Sequence, residues 1–126
     1  MKRVYMDHVA GMPTDPRVVE AMMPYFSKVY GNPSSIHSFG QEARGALEDS
    51  RRRVAELIGA TKKEEVVFTS GGTESNNLAI KGVAYRNKDK GNHIVTTTIE
   101  HMSVLNTCKY LGRQGFKITY VPVDTY

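Results

Sequence analysis

The chain has 126 residues, of which 17 are Lys or Arg and 13 are Asp or Glu, so its formal net charge is +4. This length suits one domain at most, and a content of 40% apolar and 24% charged residues is close to the globular average, which excludes disordered and fibrous classes. The sequence lacks the run of roughly 18 apolar residues that a membrane helix needs, and residues 1–15 lack the apolar core of a signal peptide. We therefore expect a cytoplasmic protein with no membrane partner.

Cysteine and histidine usage argues against disulfides and metal sites. The single cysteine, Cys108, excludes an intrachain disulfide and any zinc site built on paired cysteines. The four histidines do not follow metal-ligand spacing, so no metal is expected; they are His8, His37, His93 and His101.

Positive charge is concentrated in one place, residues 51–53, which are three consecutive arginines. Glu48, Asp49 and Glu56 lie close by in the sequence. On a helix these charges pair at spacings of three and four residues, whereas a nucleic-acid surface gathers basic residues alone. The pattern therefore favours a solvated helix face, and we expect no nucleic-acid partner.

The first predicted elements are a short strand at residues 4–6 and a helix that begins after Asp15. Asp15 is a favourable N-cap, and Pro16 suits the first helical position. We expect this helix to reach about Lys28. Five apolar residues recur along it at helical spacing and predict a core stripe: Val18, Val19, Met22, Met23 and Phe26.

A loop at residues 31–35 separates this helix from a longer one, predicted over residues 38–58 with Gly59 as its C-terminal stop. The expected apolar face of the second helix contains Ala43, Leu47, Val54, Leu57 and Ile58. The sequence changes character near Glu65. We therefore divide the chain into an N-terminal helical segment, residues 1–64, and a second segment, residues 65–126.

The second segment alternates β-branched runs with helical patterns, which is typical of parallel βαβ units. Strands are predicted at residues 66–69, 93–97 and 116–121, with one helix between each pair. The first of these helices contains Leu78, Ala79, Val83 and Ala84, and the second places Val104, Leu105, Cys108 and Leu111 on one face. The predicted class is α/β, with the order β-α-β-α-β. Ligands of such folds bind beyond the carboxyl ends of the strands.

Residues 70–75, with the sequence SGGTES, form a candidate phosphate site because two glycines and several hydroxyls lie where a helix begins. The loop is neither a Walker loop nor a GxGxxG dinucleotide motif. A tight turn with Ser70 or Thr73 as an ordinary N-cap explains it equally well. Both interpretations remain open at this point.

His101 follows the predicted strand at residues 93–97 and begins the next helix, so its ring is a candidate for the same ligand crevice. A neutral imidazole could stack on a flat ring or move a proton near neutral pH. A capping or packing role is the alternative. Cys108 lies on the apolar face of that helix and is predicted to be a core residue rather than a nucleophile.

Four motifs follow one another along the chain: YMDHVA at residues 5–10, GNPSSIHSFG at 31–40, VFTSGGTESNNLA at 67–79 and EH at 100–101. Together and in this order they resemble the N-terminal part of a cysteine desulfurase of the NifS/IscS type, in the class V branch of fold-type I pyridoxal phosphate (PLP) enzymes. The resemblance covers essentially the whole chain. One departure is Gly11-Met12, where relatives usually carry two threonines.

The resemblance implies that Gly72 and Thr73 bind the PLP phosphate, and that His101 stacks on the pyridine ring and takes part in proton transfer. It implies a parallel-sheet large domain with PLP as cofactor, to which residues 65–126 contribute, and a small domain and cofactor-site mouth to which residues 1–64 contribute. The implied activity is removal of sulfur from L-cysteine, giving alanine and a protein persulfide. The implied partners are a second copy of the chain in a homodimer and an iron–sulfur scaffold protein that accepts the sulfur.

The family's Schiff-base lysine, its aspartate at the pyridine nitrogen and its persulfide-forming cysteine have no match in this sequence. We therefore expect a fragment, or one piece of a split chain, that is inactive and poorly folded alone. Two alternatives remain. A selenocysteine lyase or another class V enzyme carries similar motifs. A non-catalytic phosphate-binding or scaffold module would need neither the missing lysine nor the missing cysteine.

Overall fold

The structure is a computed structural model that describes residues 3–125. Residues 1, 2 and 126, which belong to the predicted segments 1–64 and 65–126, lie outside the described residues. The chain divides into two compact units between Val66 and Val67. The assignment of the two predicted segments to a small and a large domain stays a prediction. Between residues 3 and 125 no helix has both the length and the apolar character needed to cross a membrane.

The first unit begins with two short helices, α1 (Pro16–Met22) and α2 (Pro24–Ser27). Asp15 caps α1 as predicted, because its Oδ1 accepts the backbone N–H of Arg17 at 2.8 Å. The prediction of one continuous helix to about Lys28 is wrong. Pro24 has no N–H to continue the helical ladder, and its ring clashes with the carbonyl of the preceding turn, so a new helix begins there.

Two further predictions for this region are wrong. Residues 4–6 form no strand, since within residues 3–125 backbone pairing joins only two strands of the second unit. The predicted core stripe of α1 and α2 is exposed: Val18, Val19, Met22, Met23 and Phe26. Helical spacing aligned these side chains on one face, but burial also needs a partner surface in space.

The long helix α3 (Ser38–Ile58) has the predicted bounds, and Gly59 ends it in the left-handed conformation at φ 68°. Of its predicted apolar face, Ala43 is buried, whereas Leu57 and Ile58 are exposed. The three arginines pair along the helix as predicted, through Arg51–Glu48, Arg52–Asp49, Arg52–Glu56 and Arg53–Asp49. A short 3₁₀ helix, Lys63–Glu65, follows and contacts α3.

The second unit contains α4 (Gly72–Arg86), β1 (His93–Thr97), α5 (Met102–Arg113) and β2 (Lys117–Val121). The two strands are parallel, with His93 opposite Lys117 and Thr97 opposite Val121. Helix α5 connects them and packs against both α4 and β2. The core of this unit consists of Ala84, Leu111 and Phe116, with Ile80, Ile94 and Ile118 packed around them.

The predicted strand at residues 66–69 is absent, so the described order is α-β-α-β rather than β-α-β-α-β. Val66 has extended dihedral angles, φ −91° and ψ 117°, but extended backbone becomes a strand only when a ladder pairs it. Its carbonyl instead accepts a hydrogen bond from the Arg51 guanidinium. A side chain on α3 therefore uses an acceptor that a neighbouring strand would need.

Candidate phosphate and histidine site

The start of α4 presents backbone N–H groups that no side chain caps. Gly71 is the N-cap residue and Gly72 and Thr73 are the first two helical residues. The first helical hydrogen bond of this turn runs from the Ser75 N–H to the Gly71 carbonyl at 3.0 Å. The alternative in which Ser70 or Thr73 is an ordinary N-cap is therefore wrong.

Side chains beside this turn hold its shape. The carboxylate Oε2 of Glu74 accepts both the backbone N–H of Ser70, at 2.6 Å, and the Ser70 hydroxyl, at 2.7 Å. Both hydrogen bonds lower the pKa of Glu74 below its ordinary value, and the bond from the Ser70 backbone has the larger effect. The hydroxyls of Thr69 and Ser75 lie 2.6 Å apart. Glu74 thus secures the loop from one side and leaves the N–H groups of Gly72 and Thr73 uncapped.

These donors suit a phosphate group. A side chain added at Gly71 or Gly72 would meet no atom within 4 Å, so the space beside the backbone is open. The Thr73 side chain is exposed, and among residues 3–125 its hydroxyl makes no hydrogen bond. Uncapped N–H groups, the positive end of the helix dipole and a spare hydroxyl together form a fitting anion site.

His101 lies immediately before α5, where it acts as the N-cap residue. Its Nδ1 accepts the backbone N–H of Ser103 at 3.1 Å and lies 2.8 Å from the Ser103 hydroxyl. The ring is exposed, and within the described part of the chain Nε2 makes no hydrogen bond. The capping role is thus present, and it uses only one ring nitrogen. Nε2 remains available to a ligand.

The starts of α4 and α5 are joined by a side-chain hydrogen bond. Asn76 is in the second turn of α4, and its Nδ2 donates to the Ser103 hydroxyl at 2.8 Å. Because Ser103 also contacts His101, the candidate phosphate loop and the histidine belong to helices that are connected between the second turn of α4 and the first turn of α5. The two predicted site elements therefore share one region of the second unit.

Cys108 is a core residue, as predicted. It is 1% exposed, and burial, followed by the nearby Glu100 charge, raises the pKa of its thiol. A raised pKa disfavours the thiolate, which is the nucleophilic form.

Sequence reasoning missed three residues around the site: Glu74, Asn76 and Ser103. A signal for Glu74 was present, since a hydroxyl residue followed within one turn by Glu is close to a capping box. The Asn76–Ser103 contact joins residues 27 positions apart and had no such local signal.

The class-V aminotransferase family matches residues 4–126 of the chain. Cysteine desulfurases named IscS from Dictyoglomus turgidum and Rickettsia akari are 54% and 59% identical to it over 125 and 121 residues. The matches include 98% and 95% of this chain, which spans only 32% and 29% of these relatives. The chain thus corresponds to about a third of a curated desulfurase.

Solved structures agree with this relationship. A NifS-like protein with 45% identity has a TM-score of 0.88. The match includes 98% of this chain and 34% of the NifS-like chain. A structure of SspA in complex with cysteine has 42% identity and a TM-score of 0.82, with 93% of this chain and 33% of that one covered. The predicted fold class, the α/β fold of fold-type I PLP enzymes, is therefore confirmed. The chain belongs to the class-V aminotransferase family.

Proposed function

We propose that this chain provides the phosphate-binding loop and the ring-facing histidine of a PLP-dependent cysteine desulfurase. The reaction removes sulfur from L-cysteine and gives alanine and a protein persulfide. The observation that carries the proposal is the uncapped start of α4 at Gly71–Gly72, joined to the His101 turn by the Asn76–Ser103 hydrogen bond. The family relationship and the names of the IscS relatives support the same activity.

PLP, when bound, supplies an electron sink that stabilises negative charge at the substrate carbon. Gly72 and Thr73 would bind its phosphate through two backbone N–H groups and one hydroxyl. The absence of a Cβ at Gly72 leaves the backbone open to a phosphate oxygen. Glu74 keeps the loop in place, and its carboxylate is directed to Ser70.

His101 contributes a flat ring and one ring nitrogen, Nε2, that residues 3–125 leave free. Nδ1 accepts the Ser103 N–H and therefore carries no proton, so the neutral ring holds its proton on Nε2. In this role the imidazole would stack on the cofactor ring, and its Nε2–H would donate a hydrogen bond in the site. The cap fixes the ring to α5 during both tasks.

Thr73→Ala tests the phosphate assignment. We expect it to weaken PLP binding by about 1.5–3 kcal/mol, because one hydrogen bond to a charged group is lost. PLP affinity is measured by fluorescence titration in the intact protein, meaning this chain together with the remaining part of the desulfurase. Thr73→Ser, which keeps the hydroxyl, is the matched control.

Pyridoxal without its phosphate provides a second control, because Thr73→Ala should leave its affinity unchanged. Equal PLP affinity in the variant and the unaltered protein would contradict the assignment of Thr73. A uniform loss of PLP and pyridoxal binding would also contradict it, since the residue would then act on the whole site.

The proposal extends to the assembly in which the activity operates. The desulfurase is a cytoplasmic homodimer that passes sulfur to an iron–sulfur scaffold protein. Alanine release from L-cysteine, compared with release from L-selenocysteine, distinguishes a desulfurase from a selenocysteine lyase. A non-catalytic module would release alanine from neither and would not change the absorbance of added PLP.

A further inference from the structure

The Ser103 hydroxyl lies between an amide on one helix and an imidazole at the start of the next. Asn76 Nδ2 and His101 Nδ1 are each 2.8 Å from Ser103 Oγ. The three side chains form a continuous chain of hydrogen bonds from α4 to the histidine. We refer to Asn76, Ser103 and His101 as the α4–α5 relay.

The direction of each hydrogen bond in the relay follows from the donors present. Nδ1 of His101 already accepts the Ser103 backbone N–H, so it has no proton to give. The Ser103 hydroxyl must therefore donate its single proton to Nδ1. The lone pairs of the Ser103 oxygen then accept a hydrogen bond from the Asn76 amide N–H. With these directions every donor in the relay has an acceptor.

Ser103 is held in a buried position, which makes the relay rigid. It is 7% exposed, so its hydroxyl is shielded from water; the Thr107 hydroxyl donates only to the Ser103 backbone carbonyl, at 2.7 Å, and does not contact the Ser103 hydroxyl. A buried hydroxyl without hydrogen-bond partners is unfavourable because it has also lost its contact with water. The hydrogen bonds to Asn76 and His101 therefore oppose rotation of the Ser103 side chain. Asn76 is half-buried, whereas the His101 ring is exposed.

We propose that Ser103 and Asn76 are positioning residues that fix the ring orientation and the proton position of His101. The Ser103 N–H and O–H share the single lone pair of Nδ1 and hold the neutral ring in the form with its proton on Nε2, the nitrogen that residues 3–125 leave free. This proposal deepens the proposed function and rests on it for the catalytic meaning of Nε2. The relay itself can be tested without cofactor or substrate.

The primary experiment is ¹⁵N NMR of the histidine ring nitrogens in the intact protein without PLP. Ser103→Ala and Asn76→Ala remove one member of the relay each. Thr107→Val removes a buried hydroxyl of α5 that does not contact His101. Asn77→Ala removes an amide of α4 that bonds only to the Thr73 carbonyl at 2.9 Å. The last two variants are matched controls.

In the unaltered protein we expect Nδ1 to resonate as the unprotonated nitrogen and Nε2 as the protonated one. Loss of one hydrogen bond in Ser103→Ala should raise the fraction of rings protonated on Nδ1 roughly three- to tenfold. Asn76→Ala should change this fraction in the same direction but less, because the serine keeps its own donor. The two control variants should leave the His101 nitrogens unchanged.

A second measurement uses the PLP-loaded protein with L-cysteine as substrate. Ser103→Ala should lower kcat roughly three- to tenfold at constant KM, since the ring is mispositioned while the substrate contacts remain. Ser103→Thr keeps the hydroxyl and should restore both kcat and the ring nitrogen signals. This rescue separates a positioning role from a general loss of packing around a buried serine.

Unchanged His101 signals in Ser103→Ala would overturn the relay, as would equal changes in Asn76→Ala and Asn77→Ala. If Ser103→Ala fails to fold, the Asn76→Ala and Asn77→Ala pair decides the question alone. The outcome for the proposed function is separate. Relay signals as expected in a protein that releases no alanine would contradict the desulfurase activity and leave the relay standing.

Discussion

His101 has a structural contact on one ring nitrogen and a predicted chemical role on the other. Its Nδ1 caps α5, and His37 caps α3 in a similar way, because its Nδ1 accepts the Gly40 N–H at 3.4 Å. A capping contact therefore does not by itself indicate a site. What distinguishes His101 is the additional hydrogen bond from Ser103, which is linked in turn to Asn76.

His101→Asn separates the two roles, since Asn is among the best N-cap residues but has no imidazole. We expect the free energy of unfolding to change by less than about 0.5 kcal/mol, whereas His101→Ala should cost about 1 kcal/mol through loss of the cap. Both variants should lose most of the desulfurase turnover. His101→Phe should keep a flat ring, and thus PLP retention, without restoring turnover. Thermal melts and alanine release measure these effects.

The control for this series is His37→Asn, which exchanges a capping histidine elsewhere and should leave turnover near that of the unaltered protein. If His101→Asn retained full turnover, the histidine would be only a cap, and its proposed role at the cofactor would be wrong.

Glu74 gives the phosphate loop a dependence on pH. The folded-state pKa of this carboxyl lies below its ordinary value of 4.5, so the charged form is favoured by the folded loop. The stabilising contact with Ser70 is therefore fully present above pH 4.5 and is lost as the pH falls through the lowered folded-state pKa.

We expect the Ser70 amide proton signal to titrate with a midpoint below 4.5 as the Glu74 carboxylate is protonated. NMR spectra recorded from neutral to acidic pH measure this midpoint. Glu74→Gln should abolish the titration while the Ser75 amide, bonded to Gly71, serves as an internal reference. A Ser70 signal that titrates identically in Glu74→Gln would show that another group is responsible.

At the scale of elements, α3 depends on close backbone contact at its first turn. A Cβ at Gly40 would lie 2.4 Å from the Ser35 carbonyl oxygen, and one at Gly31 would lie 2.1 Å from the Phe39 carbonyl oxygen. Both distances are far shorter than any ordinary contact with backbone atoms. The two glycines allow the loop before α3 to pack directly against the helix start.

Gly40→Ala should therefore destabilise the intact protein, by about 1–3 kcal/mol as for other overpacked sites. Gly45 lies in the same helix, and a Cβ there would meet nothing within 4 Å. Gly45→Ala should stabilise by about 0.5–1 kcal/mol through the higher helix propensity of alanine. Denaturant unfolding of the two variants gives opposite signs. Equal stability changes would contradict the close-contact explanation.

At the scale of the whole molecule, few of the apolar side chains between residues 3 and 125 are buried and many are exposed. The buried apolar residues are Ala43, Ala55, Val66, Ala84, Cys108, Leu111 and Phe116. Large exposed ones include Met6, Val9, Ile36 and Leu57. Parallel sheets are normally covered by helices on both faces, whereas the sheet within residues 67–125 consists of two strands with one connecting helix. Such exposed apolar surface favours association.

We therefore expect the 126-residue chain, purified by itself, to aggregate or to melt without a cooperative transition. Differential scanning calorimetry with analytical ultracentrifugation measures both properties. Co-expression with the remaining part of a related desulfurase is the control and should give a cooperative transition. A sharp transition of the isolated chain as a monomer would contradict the prediction.

The sequence alone determined the features that depend on neighbouring residues. Gly59 sets the end of α3, Asp15 and Pro16 set the start of α1, and residues 93–97 became β1. Helical spacing also identified Cys108 and Leu111 as buried. These signals are local because caps, backbone freedom and side-chain periodicity act within a few residues.

Only the tertiary structure decided the features that depend on partners distant in sequence. The expected first strand has no pairing partner among residues 3–125, and the Val66 carbonyl bonds to Arg51 instead. The apolar stripe of α1 is exposed because periodicity selects a face but provides nothing to cover it. The proton position of His101 is set by Ser103 together with Asn76, which lies on another helix. Hydrogen-bond partners and burial are properties of the folded chain, since they arise only when separate elements meet in space.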